Sequence, residues 1–259
     1  MGMVLRSLAL VLLLAAACTT FGSIDETETE TEAGAPASTG QVPDGAGPTG
    51  PASDGGRDIS RPPALGTLQL PASVTTTEGN SGNSSPFGAG GQRFQSVYGA
   101  ASLTALPRGA IIKAISFRLD SGAVKFPTQT IASFEIQLST SAKPPGSLSS
   151  TFAANRGPDA VIVRAGPLAI EPADYPSDAS PNAFGKRIDF NLGSFTYTGG
   201  PLLLEVASTT VAASRSVDNV FPSSQDTQSV YGTGFSATTG DKGIFFDLIV
   251  IEYTFEYPR

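Results

Sequence analysis

The chain contains no histidine, no tryptophan and a single cysteine among its 259 residues. Without histidine it builds no Ser-His-Asp triad, no Cys-His dyad, no His-ligated zinc and no imidazole acid/base chemistry of its own. One cysteine allows neither an internal disulfide nor a thiolate metal cluster. Positive charge is scarce as well. Sixteen Lys and Arg face 23 Asp and Glu, a net charge of −7. Phosphate binding needs a basic surface, so the charge argues against a nucleic-acid partner.

What is present at the N-terminus reads as an address. Arg6 precedes an unbroken apolar run over residues 8–17, followed by Cys18. That run is far short of the roughly 20 residues a bilayer span requires, and it suits a secretory signal. Leu14-Ala15-Ala16-Ala17-Cys18 resembles the lipobox of bacterial lipoproteins, although Leu14 stands one place early. The resemblance implies cleavage before Cys18, a diacylglycerol on its sulfur and attachment to the membrane through that lipid. Ala15-Ala16-Ala17 also suits an ordinary signal peptidase, which would release a soluble secreted protein. Thr19, in place of the Asp associated with inner-membrane retention, favours the outer membrane or cell surface.

Composition then changes. Residues 19–66 hold nine Gly and six Pro in 48 positions, with only Phe21, Ile24, Val42, Ile59 and Leu65 from the Leu/Ile/Val/Phe group. So few apolar side chains do not offset the entropy of ordering, and the composition predicts a disordered tether. Eight acids and two bases leave the segment at −6, nearly the whole charge of the chain. The Thr-Glu alternation from Glu26 to Glu32 reads as a self-repelling spacer. The expected organisation is a signal peptide at 1–17, lipidated Cys18 and tether at 18–66, and one folded domain at 67–259.

In that last stretch the apolar period is two. Phe134, Ile136 and Leu138 alternate with Glu135 and Gln137; Ile188, Phe190 and Leu192 alternate with Arg187, Asp189 and Asn191; Leu202, Leu204 and Val206 repeat the pattern with Glu205 outside. Further strands are expected at 93–98, 110–119, 160–165, 226–231 and 244–256, with at most a turn of helix near 148–153. Alternating strands need a second sheet over the apolar face, which predicts an all-β, antiparallel, jelly-roll-like two-sheet sandwich. The last strand is aromatic (Phe245, Phe246, Tyr253, Phe255, Tyr257) and is expected to be central or to run across a bend. Gln95-Ser96-Val97-Tyr98-Gly99 recurs as Gln228-Ser229-Val230-Tyr231-Gly232, 133 positions later. The repeat reads as two strand ends stopped by Gly.

A series of short segments resembles uncharacterised bacterial secreted β-sandwich proteins, many of which end in a PEP-CTERM sorting signal. The segments are Thr77-Glu78-Gly79-Asn80-Ser81, Arg93-Phe94-Gln95-Ser96-Val97-Tyr98, Ile115-Ser116-Phe117-Arg118, Ile136-Gln137-Leu138-Ser139-Thr140-Ser141, the stretch 148–155 and Leu202-Leu203-Leu204-Glu205-Val206. The resemblance implies an extracellular place and carries no established chemistry. This chain ends at Tyr257-Pro258-Arg259 without that motif, and a lipid at Cys18 would take over its role.

Candidate chemistry is sparse. Gly79-Asn80-Ser81-Gly82 imitates a serine-protease loop, but no histidine is there to take the proton. Asp120-Ser121-Gly122 imitates half of an aspartic-protease site and has no second copy, so it reads as a turn. Glu135 and Glu205 are the pair a glycoside hydrolase would need. Glu171, Asp174, Asp178 and Asn182 form an oxygen-rich loop that offers a structural calcium its donors. Tyr98, Tyr231, Tyr175 and Tyr197 are candidate stacking surfaces for a glycan or a surface protein. The expectation is a non-catalytic surface lipoprotein with a structural or interaction role, with a carbohydrate-binding module or adhesin as the alternative and a hydrolase third.

Overall fold

The computed structural model describes residues 63–221, 225–242 and 248–258, all within one compact unit, Arg57–Arg259. The signal peptide, Cys18, nearly all of the expected tether, Phe245 and Phe246 lie outside the described residues.

Strand formation follows the period-two pattern. In order the strands are β1 (Leu65–Leu70), β2 (Ser81–Asn83), β3 (Gln92–Tyr98), β4 (Ile111–Phe117), β5 (Gln129–Ile131), β6 (Phe134–Thr140), β7 (Val161–Arg164) and β8 (Leu168–Ile170). They continue as β9 (Ile188–Asp189), β10 (Phe195–Thr196), β11 (Leu202–Ser208), β12 (Val217–Val220), β13 (Thr227–Thr233), β14 (Asp241–Lys242), β15 (Leu248–Ile249) and β16 (Ile251–Glu256). No α-helix occurs among the described residues; the helical turn expected near 148–153 is a 3-10 turn at Phe152–Asn155.

The strands build an all-β antiparallel sandwich. One main sheet runs β1-β16-β4-β10, with β9 also on β4, and the other runs β14-β13-β3-β11-β6-β7. Small sheets β15-β12-β2 and β5-β8 complete the fold. Leu68, Leu70, Ile112, Ile115, Phe117, Ile251, Tyr253 and Phe255 of the first main sheet share one buried core with Phe94, Tyr98, Phe134, Ile136, Leu138, Leu202, Leu204 and Val206 of the second. The Tyr98 and Tyr253 rings meet edge to face across the layers, centroids 6.1 Å apart.

A register shift between Thr254 and Phe255 shapes the first sheet. Strict alternation from Ile115 and Phe117 would turn Lys113 inward. The bulge pairs Phe255 with Ile112 instead, so Ile112 enters the core and Lys113 reaches Glu256 at 3.5 Å; such one-residue irregularities re-aim side chains. The final segment changes sheets, since Ile249 pairs with Asn219 while Ile251 pairs with Phe117 and Leu70. β16 lies between β1 and β4, and the run crosses a bend.

The other face of the six-stranded sheet is covered too. The 3-10 turn brings Phe152, with Leu148, onto Val97, Leu203 and Val230 as a second small core. This capping segment buries a face whose Gln and Glu residues suggested solvent.

Candidate functional site

β12 pairs with β2, Val217 opposite Asn83 and Asn219 opposite Ser81, and Leu119 bridges Val217. This placement gathers Glu78, Asp120 and Asp218, whose carboxylate oxygens lie within 4.8 Å of one another. It is the group of three acidic side chains that stands together among the described residues. Asp218 and Arg118 are buried and ion-paired, and Arg118 Nε donates to Asp218 Oδ2 at 2.6 Å. Asp218 Oδ1 also accepts from Gly79 N at 3.0 Å and Asn219 N at 2.8 Å, while Arg118 Nη2 donates to Thr77 O at 2.7 Å. The pair clamps the 77–79 segment to β12. A Cβ on Gly79 would stand 2.2 Å from Asn219 O and 2.3 Å from Asp218 Oδ1, which explains the glycine of the protease-like motif.

Burial, then the Asp218 charge, raises the Asp120 carboxyl above its ordinary range. Burial chiefly raises Glu78 as well, with the Asp218 and Asp120 charges adding to it against the Ser121 N–H and Arg118. Three converging carboxylates are the donor chemistry a hard divalent cation uses, and here Arg118 already neutralises one of them. Asp120 to Ala123 forms a turn, Ala123 N donating to Asp120 O at 3.0 Å, with Gly122 at φ +80° in the place that demands glycine.

The loop proposed for calcium does not converge in the same way. Asp174 accepts from Glu171 N at 2.8 Å and ion-pairs with Lys186 at 3.0 Å. Glu171 accepts from Thr128 Oγ1 at 2.6 Å, and Asn182 Nδ2 is spent on Leu119 O and Asp120 O. Among the described residues Asp178 joins no acidic group of three. Asp174 is spent within the loop, while Glu171 and Asn182 tie it to Thr128, Leu119 and Asp120.

Glu135 and Glu205 do share a sheet face, on neighbouring strands β6 and β11. Glu205 is 2 % exposed and its acceptor capacity is filled. Oε1 takes Arg93 Nε at 2.6 Å and Arg156 Nη2 at 2.7 Å, and Oε2 takes Gln95 Nε2 at 2.7 Å and Arg156 Nε at 2.8 Å. Burial raises this carboxyl, but the Arg156 and Gln95 hydrogen bonds and the two arginine charges outweigh it, and its pKa is lowered. Glu135 reaches Arg93 at 3.7 Å. This is the wiring of a buried structural anion.

Three of the four tyrosines offer no ring face outside. Tyr98 and Tyr175 are 0 % exposed and Tyr197 is 5 % exposed. Tyr175 packs edge-on against Phe87 and Phe126, and Tyr197 Oη donates to Gly200 O at 2.9 Å. The repeat puts Tyr98 at a strand end, and the hydrophobic core claims all three rings. Tyr231 is half-buried, stacked on Phe94 with centroids 5.9 Å apart. It lines a groove of about 340 Å³ with Ser85, Gly90, Gln92, Thr233 and Asp241.

Sequence reasoning did not find the Arg118–Asp218 clamp. The signal was there in Val217-Asp218-Asn219-Val220, where two polar residues interrupt an apolar strand. Comparison with known proteins gives no match: no family model matches the chain, and no curated protein or solved structure matches it.

Proposed function

We propose that this chain is a surface-displayed lipoprotein whose β-sandwich has a structural or interaction role and performs no chemistry. The observation that carries the non-catalytic half is the state of Glu205, whose lone pairs are all taken by Arg93, Arg156 and Gln95. A glycosidase acid needs a raised pKa and a free face toward substrate, and this carboxyl is held the other way. The display half is supported by the lipobox-like Cys18 and by the acidic Gly/Pro-rich residues that precede β1. Outer-membrane or cell-surface attachment follows from that reading.

Mass spectrometry of detergent-extracted protein tests it. The expected mature chain begins at Cys18 and carries a diacylglycerol, and Cys18→Ala shifts the protein to the soluble fraction. An unmodified mature chain beginning after Ala17 or beyond overturns the anchor. Hydrolysis of any glycan that is lost in Glu205→Gln, with the fold intact, overturns the non-catalytic role.

A further inference from the structure

The groove beside Tyr231 lies where the β3–β13 ladder ends, Gln92 opposite Thr233. We propose that it binds a neutral sugar ring at the end of a glycan. The inference rests on the interaction role proposed above and does not need the lipid at Cys18, so the two tests fail separately.

The first support is a fixed aromatic wall. Tyr231 lies on Phe94 at an interplanar angle of 29°, so its ring is held from behind. A rigid aromatic surface packs against the C–H face of a sugar at small entropic cost. Asp241 stands directly opposite Tyr231 in the β13–β14 register and is exposed. It is the charged side chain among the described lining residues.

The second support is an acceptor in want of a donor. Gln92 Nε2 donates to Ser84 Oγ at 3.1 Å. The amide rests on Gly88, where a Cβ would come within 2.2 Å of it. Its Oε1 is buried and has no hydrogen-bond partner among the described residues. An unmade hydrogen bond at a buried carbonyl costs about 1–3 kcal/mol. Gln92 is among the residues that line the groove.

Size and charge narrow the ligand. The volume, about 340 Å³, lies at the lower end of small-molecule sites and suits one ring. Gly90 leaves the wall open, since a Cβ there would meet nothing within 4 Å. A carboxylate and an unpaired carbonyl call for a donor-rich ligand, which sugar hydroxyls supply, and Asp241 repels an anion.

The test is titration of the full chain in detergent with methyl glucoside, methyl galactoside, N-acetylglucosamine and glucuronate, read by calorimetry and ligand-observed NMR. At least one neutral sugar is expected to bind saturably, with glucuronate about tenfold weaker or worse. Gly90→Leu fills the groove and Asp241→Asn removes the charge and one of the two acceptor oxygens; each is expected to weaken binding about tenfold with the melting temperature unchanged. Tyr231→Phe keeps the wall and is expected to keep binding. Saturable binding by none of the neutral sugars overturns the proposal. So does binding that survives both Gly90→Leu and Asp241→Asn, or glucuronate bound as well as the neutral sugars.

Discussion

Ser96 Oγ and Ser229 Oγ lie 2.8 Å apart, both buried, at the centre of an antiparallel pairing between the two copies of the same pentapeptide. Gln95 faces Val230 and Val97 faces Gln228, so the repeat is related to itself by a local two-fold. Both glutamines turn to the capping side: Gln95 Nε2 donates to Phe152 O at 3.0 Å, and Gln228 Oε1 accepts from Leu148 N at 2.9 Å. Both valines enter the small core beneath that segment. The symmetry breaks at the tyrosines, since Tyr98 faces Thr227 in the core and Tyr231 faces Phe94 at the groove. One five-residue word therefore serves twice to hold the cap and once to line a cavity.

The serine pair gives a double-mutant cycle. Either Ser96→Ala or Ser229→Ala leaves a buried hydroxyl without its partner, and each is expected to cost about 1–3 kcal/mol. Changing both removes the need along with the bond, so the double variant should cost less than the sum. Denaturant unfolding of the four proteins reads the coupling; strict additivity would show that the two hydroxyls do not interact.

Glu205→Gln is expected to lose about 2–4 kcal/mol, because Arg93 and Arg156 remain partly buried without their counter-charge. Glu135→Gln should change stability by no more than about 0.5 kcal/mol. The pH dependence has a definite sign. The Glu205 carboxyl is lowered from 4.5 in the folded state. Its stabilisation is complete above that value and is lost as pH falls through the lower folded pKa. The gap between wild type and Glu205→Gln should therefore close on acidification, as thermal melts across pH would show.

These particulars mark what a sequence reveals. Alternation identified β3, β4, β6, β7, β11 and β13, because each has an apolar face over several residues. It fixes which side chains share a face and leaves open what covers that face. Alternation alone therefore puts Glu205 in solvent, whereas the capping segment buries it. β1 begins at Leu65, inside the Gly-rich composition, because Gly66 lies opposite Phe255 and beneath its ring. The 187–192 alternation yields only the two-residue β9, since a strand needs a paired neighbour as well as a pattern. Neither the Asp218 clamp nor the groove arises from one segment; local pattern marks Asp218 as a polar break in β12 but does not name the partner it meets.

Asp120→Asn is expected to raise the melting temperature at pH 7 by about 1–2 °C. The carboxyl's pKa is raised above 3.8 by burial and the Asp218 charge, so it supports the fold when protonated and opposes it when ionised. That support is present below the unfolded value and is lost as pH rises through the folded one. The gain in Asp120→Asn should therefore shrink as the pH is lowered toward 3.8. A gain that grows on acidification would contradict this sign.

Removing the chain from Leu248 onward should abolish folding. β16 pairs with β1 on one side and β4 on the other, so its loss leaves two strands with unpaired edges inside the sheet. It also takes Ile251, Tyr253 and Phe255 out of the core, each at most 1 % exposed. Removing one such side chain costs about 2–5 kcal/mol, and a domain's whole stability is about 5–15 kcal/mol. Three together, with the ladder, exceed it. The truncated protein is expected to be insoluble or to show no cooperative transition in calorimetry. A soluble product that melts sharply would mean that the first main sheet closes without its central strand.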